Sequence, residues 1–240
     1  MKIGLLSDAH GNPAGLELCL AVLKAQGAER IFFLGDAVGY LPNWGPVLSM
    51  LREHGVTCIR GNHDHHVLKA PLREDAKDAY QHLPSYLETI QPYTDWMASW
   101  PESIILELDG TRLMLVHASP QDPLNGYVYP WTDVAGISWP EGVDVIAMGH
   151  THRPMVRMHK GRLLLNPGSC GLPRDVGHLA SCAMLDTRTR EAVVFRVPFD
   201  VTHILDDPRF IHSDVRECLA RSADRFEGQL IASQLLYTRY

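Results

Sequence analysis

The sequence predicts an α/β fold, because short apolar runs alternate with longer stretches of helical periodicity. Each of the first three apolar runs ends in a glycine-rich or polar loop, namely SDAHGN, GDAVGY and RGNHDHH. Open parallel sheets bind ligands at the carboxyl ends of their strands, so these loops are the first candidates for a functional site. The predicted strands are 2–6, 30–34 and 56–59, and the predicted helices between them are 14–25 and 46–53.

The rest of the chain predicts a second group of strands. Asp109 and Gly110 separate two apolar runs and indicate a tight antiparallel hairpin. Helical spacing over 74–99, interrupted near Pro84 and Pro92, predicts helices there, and the tail from about residue 211 also reads as helical. No linker or repeat divides the chain, so we expect a single domain over residues 1–240. The further predicted strands are 104–108, 112–116, 143–148, 155–158, 162–165, 179–185 and 192–197.

The composition excludes several classes of function. A formal net charge of −6 gives no long-range attraction for long nucleic acids or anionic membranes. No run approaches the roughly 18 apolar residues of a membrane-spanning helix, and MKIGLLS is too short for a secretory signal. The five scattered cysteines form no C-x-x-C pair, which indicates reduced residues, and we expect Cys170 to pack rather than act as a nucleophile. These features favour a cytoplasmic protein.

Five short segments rich in Asp, His and Asn together predict a metal site. Residues i and i+2 of a strand point to the same side, so Asp8 and His10 can both face one cation, and His150 and His152 repeat this spacing. Imidazole and carboxylate ligands suit Mn, Fe, Zn or Ni. Two ions about 3.5–4 Å apart need a shared ligand, and a carboxylate with two oxygens, Asp36, is the candidate. The segments are Asp8-Ala9-His10, Gly35-Asp36, Gly61-Asn62-His63-Asp64, His117 and Gly149-His150-Thr151-His152.

In this order, the five segments resemble those of the calcineurin-like metallophosphoesterase superfamily. S-D-A-H-G-N-P and L-N-P-G-S-C-G-L-P-R-D are similar to the small bacterial single-domain members, the YfcE-like phosphodiesterase branch. The resemblance implies a four-layer sandwich, in which two packed mixed β-sheets are flanked by helices. It also implies two divalent ions, manganese first, with Fe, Zn, Ni or Mg as alternatives. One ion would take Asp8, His10, Asp36 and His152, and the other Asp36, Asn62, His117 and His150.

The expected activity is hydrolysis of phosphodiesters or phosphomonoesters by a metal-activated hydroxide, with His63 as the general acid. The substrate would be a small phosphate ester or a nucleotide. Protein Ser/Thr phosphatases have G-D-x-V-D-R-G and G-N-H-E where this chain has GDAVGYL and GNHD. Protein phosphatase activity is therefore an alternative that the sequence favours less. A dinucleoside polyphosphate phosphatase and a regulatory binding module that holds metals remain as further alternatives.

A few residues are candidates for contact with substrate. Asn12 follows His10 and would either donate to a phosphate or form a turn, whereas Arg60 and Arg174 are cations next to the motifs. Asp64 would either orient His63 or cap the following helix. The loop from 118 to 142 should form part of the site rim, where the rings of Tyr127, Tyr129, Trp131 and Trp139 would either stack on a nucleobase or pin the loop to the core.

Overall fold

Two mixed β-sheets flanked by helices make up the fold, as predicted, in a computed structural model that describes residues 1–69, 84–206, 213–223 and 225–231. The strands are β1 (Lys2–Leu6), β2 (Arg30–Phe33), β3 (Thr57–Cys58), β4 (Ser103–Leu108), β5 (Thr111–Val116), β6 (Val145–Ala147), β7 (Met155–His159), β8 (Arg162–Asn166), β9 (Leu179–Asp186), β10 (Ala192–Pro198) and β11 (Gln229–Leu230). The α-helices are α1 (Pro13–Ala25), α2 (Trp44–Glu53), α3 (Asn62–Lys69), α4 (Pro84–Ile90), α5 (Thr94–Ala98), α6 (Thr202–Leu205) and α7 (Ser213–Ala220).

The first sheet has the strand order β11-β10-β9-β1-β2-β3. Strands β1, β2 and β3 are parallel, with Ile3 opposite Arg30, whereas β9 runs antiparallel to β1. Helices α1 and α2 connect the three parallel strands, as the alternating sequence pattern predicts. The carboxyl ends of β1, β2 and β3 therefore lie at one edge of the sheet.

The second sheet has the order β4-β5-β6-β8-β7. Strands β4 and β5 form the predicted hairpin, with Asp109 and Gly110 both at positive φ in its turn. Strand β6 runs parallel to β5 on one side and to β8 on the other. The carboxyl ends of β5 and β6 thus open in the same direction, which is where the remaining histidines of the predicted site follow.

An apolar layer between the sheets holds them together. Successive strand residues face opposite sides, so Leu5 packs between the sheets while Leu6 packs under the helices. Leu115 and Leu165 join the layer between the sheets from the second sheet. Burial on both faces explains why these strands read as continuous apolar runs rather than alternating ones.

The outer face of the second sheet is covered by the long loop after β5. Val128, Val134 and Ile137 of this loop pack on Met114 and Ile146 of the sheet. Its only helical element is the short 3-10 turn Val134–Gly136. The loop is therefore an ordered layer of the sandwich.

The structure differs from the sequence-based prediction in the later helices and in the tail. The helical prediction over 74–99 holds from α4 onwards, with the 3-10 turn Gln91–Tyr93 at Pro92, while residues 74–83 lie outside the described residues. The tail prediction is right for α7 but wrong for β11, which adds to the edge of β10. That pairing depends on a distant strand and has no local sequence signal. None of the helices in the described ranges is long and apolar enough to span a bilayer.

Candidate metal centre

All seven predicted ligands meet where the strands end. Asp8 and His10 follow β1, Asp36 follows β2, and Asn62 begins α3 after β3. The second sheet contributes the ligands that follow β5 and β6. Side-chain contacts of 3.0–3.6 Å connect all seven residues. The contacting pairs are Asp8–His152, His152–His10, His10–Asp36, Asp36–His117, His117–Asn62 and His117–His150.

The backbone of this region differs from the predicted strand alternation. Asp8 and His10 lie beyond the end of β1, and their φ angles of 56° and 47° are left-handed. Asp36, His150 and His152 are left-handed as well. The i, i+2 argument is thus wrong for these residues, because strand geometry has ended before they begin. Each left-handed conformation costs on the order of 1–3 kcal/mol, which the surrounding contacts must offset.

Each of the two carboxylates has one oxygen anchored and one oxygen turned inwards. Oδ2 of Asp8 accepts the backbone N–H of His150 at 3.0 Å, and Oδ1 of Asp36 accepts the backbone N–H of His63 at 2.9 Å. The other oxygens, Oδ1 of Asp8 and Oδ2 of Asp36, face histidine nitrogens. Oδ1 of Asp8 is buried and has no hydrogen-bond partner. The inward oxygens are therefore available to a cation.

Two glycines make room for these carboxylates. A Cβ on Gly61 would overlap Oδ1 of Asp36, and a Cβ on Gly149 would overlap Oγ of Ser7 and crowd Oδ2 of Asp8 at 2.7 Å. Close packing against a ligand from another loop thus explains why glycine stands at positions 61 and 149.

Asp64 organises the loop that carries Asp36. Its oxygens accept the backbone N–H groups of Asp36 at 2.8 Å, Ala37 at 3.0 Å, Val38 at 3.3 Å and Gly61 at 2.9 Å. The side chain is fully buried. The sequence left two roles open for Asp64, and the contacts show a third, in which it ties the turn after β2 to the start of α3.

The first group of possible ligands is Asp8, His10 and His152. Nδ1 of His10 lies 3.1 Å from the carbonyl of Val38, and Nδ1 of His152 lies 2.6 Å from the carbonyl of Leu172. A carbonyl only accepts, so both Nδ1 atoms carry a proton and each ring turns its Nε2 into the site. These two Nε2 atoms lie only 3.0 Å apart. At this distance either one Nε2 carries a proton and donates it to the other, or both nitrogens bind a cation beside them.

The second group is Asp36, His117 and His150. Nδ1 of His117 donates to the carbonyl of Leu34 at 2.7 Å, so its Nε2 points into the site. This Nε2 lies 3.3 Å from Oδ2 of Asp36, 3.2 Å from Nδ1 of His150 and 3.0 Å from Oδ1 of Asn62. A carboxylate oxygen, an amide oxygen and imidazole nitrogens that converge on one point are the set of ligands that a divalent cation binds.

Asp36 lies between the two groups through a single oxygen. Its Oδ2 is 3.6 Å from Nε2 of His10 in the first group and 3.3 Å from Nε2 of His117 in the second. The sequence argument expected two oxygens to divide this task, but Oδ1 is already held by the N–H of His63. Any sharing of Asp36 between two ions would therefore use Oδ2.

The pKa shifts indicate that the site holds two buried negative charges, which a positive charge must compensate. Burial alone would raise the pKa of Asp8 and Asp36, but His152 beside the first and His117 beside the second lower them, and both net shifts are downwards. Burial lowers the pKa of His150 to about 4. Burial would also lower the pKa of His117, but Asp36 beside it raises it to about 9. The carboxylates are thus ionised, and a proton on His117 compensates them where no metal does.

His63 lies at the border of this set. Its Nε2 is 3.8 Å from Oδ2 of Asp36, and its ring lies edge-on to His10 with centroids 4.6 Å apart. Tyr40 flanks both rings, at 4.9 Å from His63 and 4.8 Å from His10. Tyr40 was missed as a site residue, although it ends the GDAVGY loop that the sequence singled out. Burial lowers the pKa of His63 to about 4.

The predicted substrate-binding residues have different surroundings. Asn12 caps α1 by accepting the N–H of Gly15, and its amide donates to the carbonyl of Gly171 at 2.8 Å, so its side chain caps a helix rather than forming the turn that the sequence left open. Arg60 donates to the carbonyl of Ala98 at 2.6 Å. By contrast, Arg174 extends towards the site and donates to the hydroxyl of Tyr40 at 3.3 Å. Substrate contact by Asn12 and Arg60 stays a prediction.

The long loop and Cys170 complete the surroundings. The ring of Tyr127 lies 4.4 Å from that of His150, which places the loop at the rim of the site, as expected. Cys170 is fully buried, and burial raises the pKa of its thiol well above the usual range. A buried neutral thiol is a poor nucleophile, which agrees with the expected packing role.

The residues of this site occur in the chain in the same order as in a known family. Residues 1–190 match the calcineurin-like phosphoesterase superfamily domain. The chain belongs to the calcineurin-like phosphoesterase superfamily. Membership confirms the predicted family and, at the level of class, a metal-dependent phosphoesterase.

Individual relatives agree with this superfamily. The chain is 29% identical over 224 residues to an uncharacterized protein of Methanocaldococcus jannaschii, which covers 83% of this chain and 88% of that protein. It is 28% identical over 196 residues to the phosphodiesterase YfcE of Escherichia coli, covering 78% and 88% of the two chains. A hypothetical protein of Pyrococcus horikoshii has a crystal structure with a TM-score of 0.78, 20% identity and coverage of 96% and 99%, which supports the fold.

Proposed function

We propose that the chain is a dinuclear metal-dependent hydrolase of phosphodiesters or phosphomonoesters. The observation that carries this proposal is the position of Asp36, whose Oδ2 faces His10 in one group of ligands and His117 in the other. One ion would be held by Asp8, His10, Asp36 and His152, and the other by Asp36, Asn62, His117 and His150. The E. coli relative is named a phosphodiesterase, which supports placing diesters first.

The bound metals would lower the pKa of water and polarise the phosphoryl group, so that no protein nucleophile is needed. The ligands themselves set the charge of the loaded site. Asp8 and Asp36 supply two negative charges and the neutral histidines none, so a pair of divalent ions leaves a net positive centre. Such a centre attracts a phosphate although the chain as a whole has a formal net charge of −6.

His63 is proposed as the general acid for the leaving oxygen. Its Nε2 faces Asp36 rather than a carbonyl, and its ring is held between Tyr40 and His10. The pKa of His63, about 4, favours the neutral imidazole at pH 7, which also donates one N–H. A neutral His63 would stabilise the leaving oxygen by a hydrogen bond, whereas a protonated one would transfer its proton.

The test begins with removal of bound metal by chelation and measurement of turnover with bis-p-nitrophenyl phosphate and p-nitrophenyl phosphate. Added Mn²⁺ is expected to restore hydrolysis, and Fe²⁺, Zn²⁺, Ni²⁺ and Mg²⁺ are compared at the same concentration. Hydrolysis of the diester above the monoester would support the phosphodiesterase assignment. Two bound ions per chain with no turnover of either ester would favour the regulatory binding module instead.

Three further parts of the proposal follow from the same reasoning. Manganese is the first metal to be tested, because carboxylate, amide and imidazole ligands occur together. The physiological substrate is a small phosphate ester or a nucleotide in the cytoplasm, since no basic track is expected for a long polymer. The whole chain, residues 1–240, is taken as one domain.

A further inference from the structure

A cavity of about 550 Å³ adjoins the metal centre on the side of His10 and His152. Thr151, which stands between His150 and His152, lines it, as does Leu172, whose carbonyl is close to Nδ1 of His152. Tyr40, which packs on the ring of His10, forms another part of the wall. The volume is within the range of small-ligand sites, roughly 300–1,000 Å³. A group attached to the reacting phosphate would extend into this space.

A ladder of stacked rings leads from the metal centre into the cavity. It begins at His150, whose ring lies 4.4 Å from that of Tyr127. Tyr127 stacks on Tyr129 at 5.6 Å with 13° between the ring planes, and Tyr129 stacks on Trp131 at 5.0 Å with 2° between them. Tyr129 and Trp131 line the cavity. Tyr129 has a ring stacked on each of its faces, so a base would add to the series at its exposed outer end, on Trp131.

The ladder is held in place by the backbone beneath it. Residues 129–132 form a turn in which Tyr129 and Thr132 exchange hydrogen bonds of 2.9 Å. Arg157 of β7 donates to the carbonyls of Pro130 at 3.0 Å and Thr132 at 2.6 Å. A platform ordered in advance loses little conformational entropy when a ligand stacks on it.

The exposed rings of the ladder are not used to anchor the loop. Trp131 is 69% exposed and Tyr127 is 54% exposed, whereas Trp139 packs against the core beneath the loop. Val128 and Val134, at the two ends of the segment that carries the rings, are buried against the core. Of the two roles that the sequence left open, anchoring thus falls to Trp139 and the valines, and Tyr127 and Trp131 leave aromatic surface available.

Arginines give the same cavity a positive wall. Arg153, Arg174 and Arg221 line it, together with the acids Asp214 and Glu217. The guanidinium of Arg153 lies over the ring of Trp131, 5.5 Å from its centre, so a base that stacks on this face would lie between the ring and the guanidinium or displace it. In a chain with a formal net charge of −6, three arginines at one cavity are a local concentration of cations. Guanidinium groups bind phosphate oxygens in a planar, bidentate manner.

We propose that this cavity binds a nucleotide unit that carries a second phosphate, with its base on the Tyr129–Trp131 end of the ladder and its phosphate at Arg153 and Arg174. The inference deepens the proposed function, on which it rests, by naming the substrate class as a short phosphorylated oligonucleotide or dinucleotide. Rings alone would suit many apolar groups, and arginines alone would suit any anion. Their combination beside a phosphoryl site favours a ligand with both a flat ring and a second phosphate, and a nucleotide has both.

Direct binding tests the proposal without hydrolysis. The probes are the diadenylate ApA and its 5′-phosphorylated form pApA, both with a methylenephosphonate in place of the internucleotide phosphate so that no cleavage occurs. Calorimetry on the Mn²⁺-loaded chain is expected to show pApA binding roughly tenfold more tightly than ApA. That factor is the size of one additional charged phosphate contact of about 1.4 kcal/mol.

Three variants assign the contributions. Trp131→Ala is expected to weaken pApA binding about tenfold, and Trp131→Phe to keep most of it, because phenylalanine retains a ring on which the base can stack. Arg153→Ala is expected to remove the preference for pApA over ApA. Arg188→Ala is the matched control, because Arg188 is 74% exposed and pairs with Asp109 at the hairpin turn of β4 and β5. It should leave both dissociation constants unchanged.

Failure of this inference and failure of the proposed function have different signatures. Equal dissociation constants for ApA and pApA, together with no change in Trp131→Ala, would overturn the cavity assignment even if bis-p-nitrophenyl phosphate is hydrolysed. Tight, Trp131-dependent binding of pApA without hydrolysis of any ester would support the cavity and count against the enzyme.

Discussion

The Nε2 atoms of His10 and His152 lie 3.0 Å apart, although the Nδ1 atom of each ring already faces a carbonyl. Both nitrogens are buried, so water does not separate them. Without metal, one ring must take up a proton to satisfy the other, whereas a bound cation would be held by both nitrogens and should stabilise the folded state. This relationship leads to the first prediction.

Metal removal is expected to lower the thermal midpoint by about 5–10 °C. Saturation at about 100 times the dissociation constant contributes about 2.7 kcal/mol, and a chain of this size shifts by about 2–4 °C per kcal/mol. Thermal unfolding is measured with chelator and after addition of Mn²⁺. Identical midpoints, together with no metal by elemental analysis, would exclude a structural contribution from the site.

Asp36→Asn and Asp8→Asn should differ in the number of ions lost. Asp36 faces both groups of histidines, whereas Asp8 belongs to one group, so the first variant should lose both ions and the second mainly one. Metal content per chain is measured after gel filtration. Asp95→Asn, on the exposed surface of α5, is the control. Two ions retained in Asp36→Asn would rule out the shared ligand.

His63→Asn should reduce the rate by roughly 10²–10⁴ for alkyl esters and much less for nitrophenyl esters, since a poor leaving group depends most on the N–H that His63 donates, whether as a hydrogen bond or as a transferred proton. Both rates are measured on protein whose metal content has been determined. Equal loss for the two ester types would indicate that His63 orients the phosphoryl group. Loss of metal would instead make it a ligand, since it also lies near His10 and Asp36.

Gly61→Ala should disturb the centre although it removes no ligand. The new methyl would overlap Oδ1 of Asp36, so we expect weaker binding of both ions and loss of turnover. Gly136→Ala is a matched control, because a Cβ at Gly136 meets nothing within 4 Å and its φ is not positive. Calorimetric titration with Mn²⁺ measures the change. Equal affinities in the two variants would contradict the close packing.

Asp64→Asn should lower the stability of the fold by roughly 1–3 kcal/mol and weaken metal binding about 10–100-fold. The carboxylate accepts N–H groups from Asp36, Ala37, Val38 and Gly61, and an amide would set an N–H donor against some of them. Urea unfolding of the metal-free chain separates the two effects. Unchanged stability would show that the four contacts are dispensable.

Much of this protein was predictable from the sequence, because the signals are local. Apolar runs located the strands, and Asp109-Gly110 located the hairpin of β4 and β5. The ligand types were also readable, since Asp, His and Asn recur directly after the strands, and parallel strands end at one edge of a sheet. The family followed from the order of these segments, and residues 1–190 match it.

Tertiary structure decided how the site is built, because each decisive contact joins segments far apart in the chain. The left-handed backbone at Asp8 and His10 depends on loops that pack together after the strands end. The choice of Oδ2 in Asp36 depends on the N–H of His63, 27 residues away. The cavity wall likewise needs Arg174 and Trp131 from separate loops. Sequence spacing carries no information on such distances, so the residue types were predictable but their arrangement was not.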